Sequence, residues 1–574
     1  MNIYVNQLGY LPSDNKCAVL AFPQERDAES PLLPGPVYLC KEDGTYLSEK
    51  EPVAFGWDEA SGDYVFRIDF TELTESGTYF IKCNDSLSHP FTVDESVYNN
   101  LNILLSKALY YQRCGMELTE KHAGKFARPS CHTAPSVLWT EYEKYLAGNL
   151  SESDMKKFDI RGGWHDAGDY GRYTTAAACA LGHLLYAYRF FPNAFSASLN
   201  IPESGNGIPD ILNECRYELD WMLQMQAEDG SVYHKHTTQH HAGFVMPHED
   251  TKQMILFPAS SMAVGDFVGT MALASRIYRP FDADFADLAL AAAKKSYAWL
   301  EAHPEFLFEH IKECGTGGYG DRSDIDERMW AAMELYRCTG EHAYLTAAKQ
   351  YFDSHPAPIQ YGWGDISGFA GWALLEDELT TDTSFAKQTA RSSAEQEFRV
   401  AYKALFQKEA DRLLEVIAVN GYGVALSTNE YNWGSNLGVL NRGMLFGTVY
   451  RLNPKPEYYT AVVRQMDYLL GVNATDYSYV TGVGAHAFCN PHNRVPFADG
   501  IEETIPGFVS GGANGSKWTD PRAKELIPEG TPPMKCYADH WECYSLNEIT
   551  IYWNSPAIFC AAFLDSVSLG PKLL

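Results

Sequence analysis

No stretch of about 18 or more consecutive apolar residues occurs in the sequence, so no transmembrane helix is expected. Cations are in short supply: 45 Lys and Arg stand against 74 Asp and Glu, a formal net charge of -29. A surface so poor in positive charge argues against nucleic acid and anionic membranes as partners, because phosphates are bound mainly by Lys and Arg. The 13 cysteines are odd in number and scattered, which is not the spacing of a disulfide framework. The opening Met1-Asn2-Ile3-Tyr4-Val5-Asn6-Gln7 has neither a basic start nor an apolar run, so a cytoplasmic location is expected. Secretion is the alternative if a leader has been removed.

What is present is a long, aromatic-rich globular chain. Its 574 residues exceed one ordinary domain. Hydrophobic residues at 45% and charged residues at 21% give the balance of a folded rather than a disordered protein. Aromatics reach 13%; core packing accounts for most, but flat rings also stack on the apolar face of a pyranose.

The first 95 residues carry short alternating segments at Lys16–Phe22, Pro36–Cys40, Tyr64–Asp69, Thr78–Lys82 and His89–Val93. Turn clusters such as Pro12-Ser13-Asp14 and Asp43-Gly44 separate them, which predicts a small antiparallel β-sandwich over 1–95. From about residue 96 the apolar period becomes helical, over some twelve segments from Tyr98–Gly115 to Leu546–Leu564. Twelve helices in close pairs suit a closed (α/α)6 barrel over 96–574. Periodicity alone also fits a solenoid, but no self-similarity between segments is seen. Long loops around 159–172, 229–259, 314–324 and 475–545 are rich in Gly, Pro, His and aromatics, where function tends to sit.

The run Gly162-Gly163-Trp164-His165-Asp166-Ala167-Gly168-Asp169-Tyr170-Gly171-Arg172-Tyr173 places two carboxylates three apart in a glycine-rich loop before a helix. N-capping is the ordinary use of such aspartates, but the glycines allow close backbone approach and aromatic residues flank both acids. Inverting glycoside hydrolysis needs a base for water and a protonated acid about 6.5–9.5 Å away, so the second carboxyl must come from a distant segment. Glu548, in Tyr544-Ser545-Leu546-Asn547-Glu548-Ile549-Thr550, is a candidate, expected to enter an apolar helix whose surroundings favour the protonated form. A solvated glutamate in a first helical turn is the plain alternative.

Together these motifs resemble glycoside hydrolase family 9, specifically the cellulase subgroup with an N-terminal immunoglobulin-like domain. Val5-Asn6-Gln7-Leu8-Gly9-Tyr10 resembles the opening of that domain. Ile201–Asp210, Trp433-Gly434-Ser435-Asn436 and Asn490-Pro491-His492-Asn493-Arg494 are similar to a barrel loop and two cleft segments. The resemblance spans nearly the whole chain. It implies Asp169 as base, Asp166 as a holder of the water and Glu548 as acid. His492 and Arg494 would bond sugar hydroxyls; Tyr544 and Trp433 would line the cleft.

The same resemblance implies a structural zinc on Cys114, Cys131, His132 and His165, bracing the catalytic loop from behind. From spacing alone, buried thiols and a surface histidine would be the commoner outcome. Asp326, Glu327 and Asp365 sit where some members bind calcium, and ordinary helix-start carboxylates are an equal alternative. The His-rich run Tyr233-His234-Lys235-His236 with His240-His241 reads as a loop facing the cleft rather than a metal site. The implied substrate is a β-1,4-glucan or its oligosaccharides, cut internally. The segment between His132 and Gly162, with Trp139, Tyr142 and Tyr145, is long for the family. It could close one end of a cleft, giving an exo-acting glucosidase or glucosaminidase on short oligosaccharides. A non-catalytic carbohydrate-binding protein is disfavoured by the presence of all three acids.

Overall fold

The computed structural model describes residues 1–23, 33–355, 359–381, 392–516 and 518–567. The N-terminal segment forms two sheets. One runs in the order Asn2–Tyr4, Cys17–Pro23, Asp63–Asp69, Pro52–Asp58, antiparallel throughout. The other orders Gly9–Tyr10, Phe91–Val93, Gly77–Cys83, Val37–Lys41 and Tyr46–Lys50, with Ser86–Leu87 also on Gly77–Cys83. Alternating residues such as Leu20, Phe66 and Ile68 from the first sheet meet Leu39, Ile81 and Phe91 from the second in one core. The expected sandwich is therefore present, but not purely antiparallel. Gly9–Tyr10 pairs parallel with Phe91–Val93, which requires glycine: Gly9 has φ +132, and a Cβ there would lie 2.1 Å from the Thr92 carbonyl oxygen.

Among the described residues, twelve helices of thirteen or more residues follow. The chain divides into two compact units, one of Met1–Ala108, Phe406–His492 and residues 502 onward, the other of Leu109–Leu405 and Asn493–Ile501. In the second unit Thr174–Phe190, Ser261–Tyr278, Ile325–Thr339 and Ser367–Leu379 pack successively on one another. Asp210–Gln224, Ala283–Ala302 and His342–Ser354 each back one of them. Sequence explains the two roles. Every residue of Ser261–Tyr278 except Arg276 is buried, as a helix apolar on all sides must be. Ala283–Ala302 buries only a stripe that includes Phe285, Ala289, Ala292, Ala293 and Leu300. In the first unit Ser435–Leu452 packs on Pro456–Leu469 and Ile551–Ser566.

Four inner helices share a buried charge network. Arg276 donates to Glu334 at 2.7 Å and to Glu376 at 2.5 Å, and Arg189 also pairs with Glu376. Each helix contributes one member, so the network fixes their mutual register.

One expected boundary is wrong. The apolar pattern predicts a helix over Leu546–Leu564, but the chain forms a single turn at Tyr544–Asn547 and restarts at Ile551–Ser566. Thr550 caps the second helix by accepting from the Trp553 amide, and Gly511 and His492 amides bond the Glu548 and Asn547 carbonyls. These contacts hold Glu548 extended, outside any helical turn.

Candidate active site and metal centre

The loop from Gly162 to Tyr173 is pinned at both ends. Gly163 has φ +76 and lies against Trp221, where a Cβ would come within 2.7 Å of the indole. The Trp164 indole donates to Glu214 at 2.8 Å, and Arg113 bonds the same carboxylate. Cys114 N–H donates to Gly163 O and His165 N–H to Gln112 O, both at 2.7 Å. At the far end, Arg172–Tyr173 pairs antiparallel with Lys235–Thr237 in a small sheet with Ile255–Leu256 and Val137–Leu138.

Neither aspartate caps the following helix, whose N-cap, Tyr173, makes no side-chain capping bond. Asp166 is 1% exposed and accepts from the Tyr319 hydroxyl at 2.6 Å; its other oxygen has no hydrogen-bond partner. Burial, opposed by Tyr319 and reinforced by the neighbouring Asp169, pushes the Asp166 carboxyl well above the usual range. Asp169 meets the opposite environment. Its Oδ2 lies 2.7 Å from His241 Nδ1. Burial would raise its pKa, but His241, then Arg494 and His165, outweigh it and hold the carboxyl below the usual range. Two acids three residues apart are thus driven towards opposite protonation states, the arrangement that separates acid-base roles.

Arg494 belongs to the same unit. Its Nη1 donates to Gly168 O at 2.8 Å and its Nε to Ala242 O at 3.0 Å, so the guanidinium braces the loop beside Asp169. The other expected residues fall in the first unit. His492 and Glu548 form a backbone bridge. His492 Nδ1 donates to Trp541 O at 2.6 Å; because a carbonyl only accepts, this fixes the ring tautomer and leaves Nε2 as the second functional nitrogen. The Tyr544 ring lies 5.6 Å from His492 and 5.4 Å from Trp433, which is 48% exposed and free to stack on a sugar face. The structure thus groups Asp166, Asp169 and Arg494 in one unit, and Glu548, His492, Tyr544 and Trp433 in the other.

Cys114, Cys131, His132 and His165 converge as a buried group whose ligand atoms lie within 4.8 Å of one another. Cys114 Sγ is 3.6 Å from His132 Nδ1, and Cys131 Sγ is 4.0 Å from Cys114 Sγ and 3.8 Å from His165 Nε2. A tetrahedron with Zn–S of about 2.3 Å and Zn–N of about 2.0–2.1 Å has edges of roughly 3.3–3.8 Å, so the donor set fits. His132 takes φ +49, which allows consecutive residues 131 and 132 both to point inward, and its Nε2 faces Asp250 at 3.6 Å.

The proposed calcium residues do not come together in this way. Among the described residues, no group of ligand atoms that close includes Asp326, Glu327 and Asp365. Asp326 accepts from Ile366 N–H at 2.8 Å and Asp365 faces His355 at 3.3 Å. Glu327 is fully buried, with its carboxyl facing those of Asp326 and Asp266, so the plain reading as an ordinary helix-start carboxylate also fails for it.

Sequence reasoning missed Tyr319, whose only local sign was the cluster Gly317-Gly318-Tyr319-Gly320; it sits at φ +48. It also left His241 without a role. The His-rich run needs a correction: His234 and His236 are core residues, not cleft-facing. His234 bonds Ser260 and Gly318 O, both at 2.8 Å, and His236 bonds Ser136 at 2.6 Å, because Lys235–Thr237 is an inner strand of the small sheet.

Residues 98–561 match the family model for glycosyl hydrolase family 9, and residues 1–88 that for the cellulase N-terminal ig-like domain. The chain is 39% identical over 576 residues to a cellodextrinase of Butyrivibrio fibrisolvens, covering 97% of this chain and 98% of that protein. It is 31% identical to endoglucanase D of Acetivibrio thermocellus, covering 98% and 83%. Among solved structures it is similar to a mutant thermostable endoglucanase from Alicyclobacillus acidocaldarius, with TM-score 0.86, 31% identity and coverage of 99% and 100%. A Zn-binding triple mutant of the family 9 endoglucanase J30 is similar too, with TM-score 0.84, 30% identity and coverage of 97% and 100%. By these matches the chain belongs to glycosyl hydrolase family 9, with an immunoglobulin-like β-sandwich followed by an (α/α)6 barrel.

Proposed function

We propose that this protein is an inverting glycoside hydrolase that cleaves β-1,4-glucosidic bonds of cellulose-type glucans and their oligosaccharides. The observation that carries the reading is the pair of neighbouring buried acids given opposite partners, Asp169 2.7 Å from His241 and Asp166 accepting from the Tyr319 hydroxyl at 2.6 Å. His241 outweighs burial and favours the carboxylate of Asp169, while burial favours the neutral acid of Asp166. Asp169 takes a proton from water as the water oxygen bonds to the anomeric carbon. Glu548 gives its proton to the glycosidic oxygen as the carbon–oxygen bond breaks. One water is consumed and the new hemiacetal has inverted configuration. Neutral Asp166 offers a donor to hold the water, and Tyr319 fixes its orientation. His492 and Arg494 are assigned to sugar hydroxyls, and Trp433 and Tyr544 to stacking. Cys114, Cys131, His132 and His165 would hold zinc, which as a closed four-ligand site supplies rigidity to the loop and no chemistry at the sugar.

The relatives' names, an endoglucanase and a cellodextrinase, support the bond type. A second reading, preference for short oligosaccharides, is favoured by the ordered segment after His132. Its helix Trp139–Leu146 is anchored by Trp139, which stacks on Phe257 at 5.2 Å. We take 1–95 and 96–574 as the two domains, since the last sandwich strand ends at Val93 and the first helix begins at Val97; a cytoplasmic location is part of the same proposal.

The test is a product time course on reducing-end-labelled cellohexaose with wild type, Asp169→Asn and Glu548→Gln. Mid-sized fragments at early times mean internal cleavage; single sugars from the unlabelled end mean exo action. Near-native turnover in either folded variant would remove that residue from the mechanism.

A further inference from the structure

A second cluster of metal-ligating side chains lies in the first unit. His89, just before the sandwich strand Phe91–Val93, faces Asp476 and His486 from the loop that follows Pro456–Leu469. His89 Nε2 is 3.0 Å from Asp476 Oδ2, and His486 Nδ1 is 3.9 Å from the same oxygen. One ligand atom from each residue lies within 4.8 Å of the others. Asp476 adopts φ +62, a conformation that few non-glycine residues hold, and its Oδ1 is shielded without a hydrogen-bond partner. The cluster is supported from behind. Gln7 Nε2 donates to Asp476 O at 2.9 Å, Gln7 Oε1 accepts from His486 N–H at 2.8 Å, and the Tyr477 ring stacks on His486 at 4.1 Å.

We propose that His89, Asp476 and His486 form a cation site for a borderline divalent transition ion of the Zn2+, Ni2+ or Cu2+ class, separate from the Cys114–His165 group. Two imidazoles and one carboxylate match that class and not Ca2+ or Mg2+, which take oxygen ligands. All three side chains are part-exposed, so water completes the coordination. An ion about 2.0–2.2 Å from each ligand needs the donors roughly 3–3.5 Å apart; His89 and Asp476 already stand at 3.0 Å, and His486 has to close from 3.9 Å. His486 Nδ1 donates to Asp476 O at 2.9 Å. On binding, the imidazole proton sits on Nε2 and the Nδ1 lone pair faces the ion. The ion cross-links the last sandwich strand to the loop that leads to His492.

The test titrates Ni2+ into protein whose Cys2His2 group already carries one verified equivalent of zinc, with bound nickel counted after equilibrium dialysis. One further equivalent is expected, weakened about tenfold or more in His89→Gln and His486→Gln while the bound zinc stays at one equivalent. Melting curves establish that each variant is folded. Absence of a further equivalent at roughly 100 µM nickel, or binding unchanged in both histidine variants, overturns the site and leaves His89–Asp476 as a plain ion pair.

Discussion

Replacing His241 by Asn removes the imidazole beside the proposed base while keeping a side chain that can donate a hydrogen bond. The two side chains are 2.7 Å apart, with Asp169 7% and His241 38% exposed. An opposite charge this close lowers a carboxyl pKa by about 1–3 units. Because His241 is more than a third exposed, solvent screens the pair, and its loss is expected to move the Asp169 carboxyl upward towards the ordinary carboxylate range. Arg494 and His165 still favour the carboxylate in the variant, burial still opposes it, and the nearby charges of Lys235 and Asp166 are unaltered. The sign follows from the role. A base works only when ionised, so raising its pKa moves the acid limb of kcat/KM to higher pH. The alkaline limb, assigned to Glu548, stays in place. The assay is kcat/KM on a soluble fluorogenic cello-oligosaccharide from roughly pH 2 to 9, with folding followed by circular dichroism. An acid limb that stays fixed or moves to lower pH in a folded variant would refute either the pair or the role of Asp169.

Removing zinc by chelation, or substituting Cys131→Ser, is expected to lower Tm by about 5 °C or more while kcat per folded molecule stays within about threefold; unchanged melting after verified metal loss would refute a bracing zinc. Glu376 is buried, but Arg276, Arg337 and Arg189 hold its carboxyl at about 2, below an ordinary 4.5. Its stabilisation is therefore complete above about pH 4.5 and lost as pH falls through about 2; Glu376→Gln should destabilise the protein by about 3–5 kcal/mol at pH 7 by stranding arginine charge, and should flatten the acid dependence of urea unfolding. Tyr319→Phe removes the 2.6 Å donor to Asp166 and is expected to lower kcat about tenfold to hundredfold with KM nearly unchanged. Lys235→Met should lower kcat in the wild type and add little in the Tyr319→Phe background, since additive losses would mean that Lys235 does not act through Tyr319.

The helices were legible because their burial is written in their composition. Ser261–Tyr278 is small and apolar on every side, and Ala283–Ala302 carries a single stripe. Less legible strands had no such signal. Tyr46–Lys50 is largely exposed, so nothing alternates, and Lys235–Thr237 and Ile255–Leu256 are too short for a period to register. Glu548 was misplaced into a helix for the opposite reason. The apolar pattern continues through 546–564, and only the capping threonine at 550 and the bonds from Gly511 and His492 interrupt it.

At the site, residue type and spacing were enough to single out Asp166 and Asp169, but not to tell them apart. The difference comes from partners more than 70 residues away in sequence, Tyr319 for one and His241 for the other. Both partners are tied to the same short strand. Lys235 Nζ, which is buried, donates to Thr316 Oγ1 at 3.0 Å and Gly317 O at 2.7 Å, two residues before Tyr319. The same strand pairs with Arg172–Tyr173 and leads within four residues into His241. Gly317 N–H in turn donates to the Tyr173 hydroxyl at 3.2 Å. A displacement of Lys235–Thr237 would therefore move the partner of each acid together with the end of the loop that carries them. The opposed environments of Asp166 and Asp169 are thus set by partners tied to one strand to which neither acid belongs, which is why reasoning from neighbouring residues finds the acids but not the contacts that distinguish them.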